Sequence, residues 1–459
     1  MEDFSDKVFY HLYPLGFCGA PERNDFACPA GGGLRSIAAH IPRLGALGVN
    51  ALYIGPLFES ASHGYDTVDY FHVDRRLGNN DDLAALVRAM HDAGILVILD
   101  AVFNHTGRDF FAFKDLREHR QNSRYAAWYA GLDFSRNNQH NDGFLYADWA
   151  GHSSLVKLNA DCAEMREHLF AAVDAWIDLF DIDGLRLDAA NVMSIDFLRE
   201  LSRRGKAKRP GFYLLGETVA GDYRGLAHEG CLDSVTNYEL YKALWSSFND
   251  KNFFELQWAL KRQFGPEGLY RDLALYNFAD NHDVNRVASV LKKRAHLFPL
   301  YGALFCLPGA PSIYYGSEYG IKGEKERYSD RPLRPAWDEG WQRAEHADAL
   351  FSALARFSAL RRGHPALRRG LCRELFTGPE DAAFLREAEG EQIIVTLNAA
   401  ESPGEVRIPQ RALDAAGARA RVWRDLLDAG CSARAGESGA GLTVRTPPCW
   451  LRVLLGEDA

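Results

Sequence analysis

Gly184-Leu185-Arg186-Leu187-Asp188 closes a short apolar run, residues 182–189, and does so on two charged side chains set two residues apart. Strand side chains alternate with a period of two, so Arg186 and Asp188 would emerge on one face. A run this short, apolar throughout and ending in an acid, reads as a buried strand with a polar cluster at its carboxyl end. The pattern recurs. Leu99-Asp100-Ala101-Val102-Phe103-Asn104-His105 closes the run 96–103, Gly216-Glu217 falls in the run 212–218, and Asp280-Asn281-His282-Asp283 follows the run 274–279. Further runs at 8–15, 51–56, 234–239 and 311–315 bring the candidate strands to eight.

Helical patterns lie between them. Over 163–180 the apolar residues Leu169, Val173, Trp176, Ile177 and Phe180 recur at three- and four-residue steps. Asp81-Asp82 opens a second such pattern with acids suited to a helix start. Pro42 interrupts a third, over 37–47. Strands alternating with helices predict parallel βα units. A closed (β/α)8 TIM barrel and a doubly wound sheet both fit the alternation. In a barrel the carboxyl ends of all strands share one face, so Asp188, Glu217 and Asp283 would meet there. Any one of these acids, taken singly, is an ordinary cap. Recurrence at equivalent strand ends is what favours a site.

Residues 104–155 break the rhythm with a polar and aromatic segment longer than an ordinary βα loop, carrying Tyr125, Trp128, Tyr129, Phe144, Tyr146 and Trp149. From about Arg373 short strand-like runs separated by turn residues predict a small all-β domain, with 429–441 as a loop. The expected division is a barrel over 1–103 and 156–372, an inserted subdomain over 104–155, and a C-terminal β-sandwich over 373–459.

The chain is 47% hydrophobic and 25% charged, with a net charge of −9. That balance suits a globular protein with a substantial core and argues against nucleic acid or an anionic membrane as the main partner. Eight scattered cysteines with no CxxC pair lean toward reduced thiols. The acidic start lacks an apolar signal segment, and no apolar run is long enough to span a bilayer, so a cytoplasmic location is expected. Gly31-Gly32-Gly33 is no dinucleotide-binding fingerprint after a strand, which counts against a dehydrogenase.

These strand-end clusters together resemble glycoside hydrolase family 13, the α-amylase family. Residues 100–105, 184–191, 216–218 and 278–283 resemble its four signature regions, in order and approximate spacing. His63-Gly64-Tyr65-Asp66 is similar to the loop after its second strand, and Ile313-Tyr314-Tyr315-Gly316 to its eighth strand, with Ser317 where Asp is common. The resemblance covers nearly the whole chain. It implies a TIM barrel with a small insertion after strand three and a C-terminal β-sandwich. It also implies roles: Asp188 as nucleophile, Glu217 as general acid/base, and Asp283 as the third carboxylate. Arg186 would hold the nucleophile ionised, while His105 and His282 bind the sugar, Tyr65 stacks on it, and Asp330 and Arg334 contact it further. Asp100 would be structural. No cofactor is required and no metal site is assigned, although Asn104 stands where some relatives place a calcium ligand, which leaves room for a structural calcium.

Retention of configuration needs two carboxyl groups roughly 5–5.5 Å apart, one attacking and one donating a proton. A neighbouring guanidinium keeps an attacking carboxylate anionic, and negative charge nearby helps the donor hold its proton. Val156-Lys157-Leu158-Asn159 and Ala190-Asn191 resemble the neopullulanase and cyclomaltodextrinase group, although the first strand begins too early for that group's added N-terminal domain. The expected activity is hydrolysis of α-1,4-linked glucans, maltooligosaccharides first and then cyclodextrins or pullulan. Transglycosylation and endo-acting starch hydrolysis stand as alternatives. The partner is then an oligosaccharide, and the oligomeric state is open.

Overall fold

The computed structural model describes residues 4–436 and 440–457. The eight expected strands form, shorter than the apolar runs that announce them. They are β1 (Phe9–Leu12), β2 (Ala51–Ile54), β3 (Leu96–Ala101), β4 (Gly184–Leu187), β5 (Tyr213–Gly216), β6 (Ser234–Val235), β7 (Tyr276–Phe278) and β8 (Ala310–Tyr314). Each pairs in parallel with its sequence neighbour, and β1 pairs with β8. Closure between β6 and β7 rests on Thr236 bridging Tyr276 and on Asn237 N–H donating to the Tyr276 carbonyl at 2.9 Å. The sheet is therefore a barrel, not the open alternative. Its strands are buried on both faces, which is why they read as unbroken apolar runs.

Two apolar layers result. Phe9, Tyr53, Ile98, Tyr213, Leu215, Tyr276 and Phe278 fill the barrel itself. The alternating residues Tyr10, Leu52, Val97, Leu99, Leu185 and Leu214 pack outward against the helices. Helix Ala163–Phe180 forms as its period implies, and Trp176 at its centre stacks on Phe58 at 4.2 Å while its indole N–H donates to the Tyr70 carbonyl. Helix Asn80–Asp92 starts on a capping box between Asn79 and Asp82, the second of the paired acids. Pro42 falls in the first turn of a separate helix, Ile41–Ala46, after Gly33–Ala38 has ended, so the interrupted pattern is two helices.

Two expectations need correction. The run 234–239 holds only a two-residue strand, because the Asn237 side chain accepts from Leu240 N–H and caps helix Tyr238–Asp250. The segment 429–441 is not all loop: Ser432–Arg434 is a strand pairing with Val422–Asp425, and residues 437–439 lie outside the described residues.

After β3 the chain leaves the barrel as a three-stranded antiparallel sheet, His105–Gly107, His152–Lys157 and Asp148–Trp149, and a helix, Phe111–His119. The C-terminal region is a six-stranded antiparallel sheet facing a two-stranded one, Gly404–Ile408 with Leu442–Thr446. Leu385, Ile394 and Leu454 of the first meet Val406, Ile408 and Val444 of the second in a separate core. None of the helices among the described residues is long and apolar enough to cross a membrane.

Candidate active site

The inward face of the barrel, followed two residues at a time toward its carboxyl end, changes from apolar to charged. Phe9 leads to His11 and Tyr13, Ile98 to Asp100, Gly184 to Arg186 and Asp188, and Leu215 to Glu217. The core and the site are successive layers of one period. They meet where His11 stacks on Tyr53 at 4.2 Å and the Tyr53 hydroxyl donates to Asp100 Oδ2 at 2.7 Å.

Arg186 is the hub. Buried, it donates through Nη1 to Asp100 Oδ1 at 2.9 Å and to Asp188 Oδ1 at 3.0 Å, and its Nη2 lies 2.8 Å from Glu217 Oε1. One planar fork thus fixes carboxylates from β3, β4 and β5, which a lysine could not do. Two backbone features aim Glu217. Ala189, next to Asp188, takes a left-handed conformation at φ 49°, and its N–H donates to Glu217 Oε2 at 2.9 Å. Gly216 precedes Glu217 where a Cβ would stand 2.4 Å from Leu232 Cδ1 and 3.1 Å from Ala190 Cβ, so a larger residue there would have to displace the buried Leu232 side chain.

A second group faces this hub. The Tyr65 hydroxyl donates to Asp100 Oδ2 at 3.1 Å and makes a short contact with His282 Nε2, and the two rings lie parallel. His282 Nε2 is also 3.0 Å from Asp283 Oδ2. Arg334 donates to Asp283 Oδ1 at 2.9 Å, to Asp330 Oδ2 at 3.2 Å and to the His282 carbonyl at 3.0 Å. Its guanidinium sits 4.8 Å over the Tyr13 ring. On the other side, Asn104 Nδ2 donates to His105 Nδ1 at 3.2 Å, which puts the ring proton on Nε2, 4.0 Å from Asp188 Oδ2. His105 Nε2, His282 Nδ1 and His11 Nε2 are buried and lack a hydrogen-bond partner among the described residues. Unsatisfied polar atoms around a concave site are positions that a hydroxylated ligand can fill.

The nine residues singled out from sequence therefore converge: Asp188, Glu217 and Asp283, with Tyr65, His105, Arg186, His282, Asp330 and Arg334. Sequence reading missed His11, Tyr13 and Tyr53, although their period-two spacing on β1 and β2 was the available signal. It also left open which insertion aromatics reach the site. Trp128 is buried against Tyr125 and His168, bridging the insertion to helix Ala163–Phe180, Tyr129 is buried against Phe113, and Tyr146 accepts from Arg108. Trp149 is the one of those four that stacks on His105, at 6.2 Å. Lys157, of the motif after the insertion, is the cross-strand partner of His105.

The electrostatics are those of crowded carboxylates. Burial pushes the Asp188 carboxyl well above its ordinary range. Arg186 opposes this, and the negative charge of Glu217, Asp100 and Asp283 adds to it. The sequence reading anticipated the pull of Arg186, but burial and like charge outweigh it. Burial also opposes ionisation of Asp283, yet His282, Arg334 and Arg186 overcome it and hold that carboxyl well below its usual range. Burial, then the charge of His63, pushes His105 down to about 3, so it is a neutral hydrogen-bond donor near neutral pH. The site thus sets a carboxyl that burial raises, Asp188, near one that its cationic neighbours depress, Asp283.

No group of three or more His, Cys, Asp or Glu side chains placed to hold a metal ion occurs among the described residues. Asn24 and Asp25 are turn formers: Asn24 Oδ1 accepts from Phe26 N–H, and Asp25 Oδ1 from Ala27 and Cys28 N–H. Where relatives often carry Asp, Ser317 donates instead to the buried Asp280 at 2.8 Å.

A family model described as "Alpha amylase, catalytic domain" matches residues 11–364. The chain is 32% identical to a cyclomaltodextrinase of Bacillus sp over 86% of its own length and 72% of that protein's. It is likewise 32% identical to neopullulanase 2 of Thermoactinomyces vulgaris, over 86% and 69%. Among solved structures, the cyclic α-maltosyl-(1→6)-maltose hydrolase of Arthrobacter globiformis superposes with a TM-score of 0.82 at 26% identity, covering 98% of each chain.

Proposed function

The chain belongs to the α-amylase family and is a glycoside hydrolase acting on α-glucans; on that premise we propose that it is a retaining enzyme for short α-1,4-linked glucans. The observation that carries this reading is the single Arg186 fork spanning Asp188 and Glu217 at the ends of adjacent strands. Asp188 attacks the anomeric carbon as Glu217 protonates the departing glycosidic oxygen. A glycosyl ester on Asp188 results, and water activated by Glu217 then hydrolyses it, returning the original anomer. Arg186, which bridges both carboxylates, orients Asp188 for attack and stands beside Glu217 as that group gives up its proton and becomes anionic.

Around the sugar, neutral His105 offers its Nε2–H to a hydroxyl, the buried Nδ1 of His282 faces another, and Tyr65 gives a flat face. Asp283, kept anionic, accepts from hydroxyls and favours the positive charge that develops on the ring. Asp330 reaches the site through Arg334. Maltooligosaccharides are the preferred substrates in this reading, with cyclodextrins and pullulan next. Supporting it are the Lys157-Leu158-Asn159 and Ala190-Asn191 motifs and a relative whose name is cyclomaltodextrinase. A cytoplasmic setting fits eight free thiols. Product chromatography on maltotriose, a cyclodextrin, pullulan and starch, run side by side, tests the proposal. Starch preferred on both a molar and a mass basis, with internal cleavage from the first time point, would replace it by an endo-acting amylase.

A further inference from the structure

Shortly beyond Asp283 the chain buries a charge that the chemistry above does not use. Arg286 is fully buried. Its guanidinium directs its hydrogen bonds to neutral oxygens: Nη1 donates to the Tyr315 carbonyl at 2.5 Å and to Ser317 Oγ at 3.3 Å, and Nη2 to the Leu333 carbonyl at 2.8 Å. It also lies 3.9 Å over the Tyr314 ring. A buried guanidinium hydrogen-bonded only to neutral oxygens is costly, and an apolar side chain would fill the space without that cost. What the guanidinium adds is a fixed geometry between the segments it joins.

Those segments carry the sugar-facing groups opposite Arg186. Residues 280–289 follow β7 and include His282 and Asp283, and residues 315–334 follow β8 and include Asp330 and Arg334. Their outer parts are already laced together. Arg286 N–H donates to the Gly323 carbonyl at 2.9 Å, Gly323 N–H to Ser289 Oγ at 2.9 Å, and Lys325 N–H to Asn285 Oδ1 at 2.7 Å. Asp280 fixes the base, accepting from Val287 N–H and from Ser317 Oγ, each at 2.8 Å. The Arg286 side chain adds the inner tie. Leu333, whose carbonyl it holds, is the chain neighbour of Arg334, and that carbonyl also accepts from the Tyr314 hydroxyl at 3.0 Å. Arg334 in turn donates back to Asp283 Oδ1 at 2.9 Å and to the His282 carbonyl at 3.0 Å. The path from Asp283 through Arg286, Leu333 and Arg334 is thus a closed ring, and the Asp283–Arg334 pair is the link that faces the site. A satisfied buried network of this kind holds its members in one arrangement.

We propose that Arg286 is a positioning residue for hydrolysis: by tying the Leu333 carbonyl to the segment after β7, its guanidinium sets where Arg334 meets Asp283, and so where Asp283 meets the sugar. This rests on the reading of Asp283 as the third carboxylate given above. Asp283 acts on the charge that develops on the ring, so displacing it weakens the transition state more than the bound ground state.

The test is a double-mutant cycle between Arg286→Lys and Arg334→Ala, read as kcat and KM for maltotriose, with a thermal melt of each variant to keep the assay below unfolding. A lysine keeps the charge and loses the fork. Arg286→Lys alone is expected to lower kcat about ten- to hundredfold, the scale of a misplacement of about 1 Å, with KM changed less than about threefold. In the Arg334→Ala background the link is already gone, and the same step should cost less than about threefold. Tyr314→Phe, which removes only the second donor to the Leu333 carbonyl, should lower kcat in the same direction by about two- to fivefold. It takes the place of Arg286→Lys in the cycle if that variant does not fold. Normal kcat in whichever folded variant stands in the cycle would overturn the proposal. So would losses that multiply across the cycle, the mark of a strut that supports the fold alone, or a loss carried only by KM. Failure of the reading of Asp283 would show itself differently, as near-normal turnover by a folded Asp283→Asn enzyme whatever stands at position 286.

Discussion

Arg186→Lys is the change that probes the site most severely for the least change in charge. The arginine makes hydrogen-bonded contacts with three buried or half-buried carboxylates: Asp100 at 2.9 Å, Asp188 at 3.0 Å and Glu217 at 2.8 Å. A lysine ammonium is a point donor that meets one of these well and cannot span the fork. Losing two charge-assisted hydrogen bonds costs about 1.5–3 kcal/mol each, together about 3–6 kcal/mol. If most of that falls on the transition state, kcat drops by about a hundredfold to ten-thousandfold, with KM much less affected. The pH profile also moves. Burial raises Asp188 and Arg186 lowers it, so weakening the second influence raises that carboxyl further. Asp188 must be ionised to attack, and the acid limb of kcat/KM therefore shifts to higher pH. The assay is hydrolysis of an aryl α-maltoside from pH 4 to 9, alongside a thermal melt to show that the fold survives. A folded Arg186→Lys enzyme within about fivefold of wild type would refute this role for the fork.

Asp188→Asn should abolish turnover and yet stabilise the protein by about 0.5–2 kcal/mol at pH 7, as relief of a strained functional residue commonly does. A carboxyl whose pKa is raised on folding costs stability once pH exceeds its unfolded value, so the gain should fade as the melt is repeated toward pH 4; a gain independent of pH would contradict the crowding described. Gly216→Ala should cost about 1–3 kcal/mol by overpacking against Leu232 and displace Glu217, reducing activity beyond what the lower melting temperature explains. Glu217→Gln should slow natural maltooligosaccharides far more, about a hundredfold or greater, than aryl glycosides whose leaving group needs little protonation. Equal losses on both substrate types would make Glu217 structural.

Parallel barrel strands are buried on both faces, so β3 and β4 announce themselves as apolar runs, and the acids that end them stand out against that background. The charged layer above the core was legible for the same reason: Asp100, Arg186, Asp188 and Glu217 continue the inward period of the strands. Closure was implied by the family resemblance but was not legible from periodicity, because it rests on one bridge, Thr236 to Tyr276, at a strand two residues long. There the capping side chain of Asn237 converts what reads as strand into the start of a helix. The insertion aromatics were undecidable from spacing. Tyr129 and Trp149 have the same chemical character, and only tertiary packing sends one into a core and the other against His105. His11 and Tyr53 escaped notice because a His and a Tyr within apolar runs read as ordinary core residues. The net direction of the Asp188 shift also depends on depth of burial, which sequence does not carry.

The central claim is that Asp188 forms a covalent bond to the sugar while Glu217 handles the proton. It is tested most directly by trapping that bond. A 5-fluoro-α-maltosyl fluoride carries a leaving group that needs no acid, and in Glu217→Gln the water that would clear the ester lacks its base. Proteolysis and mass spectrometry of the treated protein should find one glycosyl adduct, on the peptide containing Asp188 and on that residue. An adduct on Asp283, or turnover with release of the β-anomer and no adduct at all, would contradict the account.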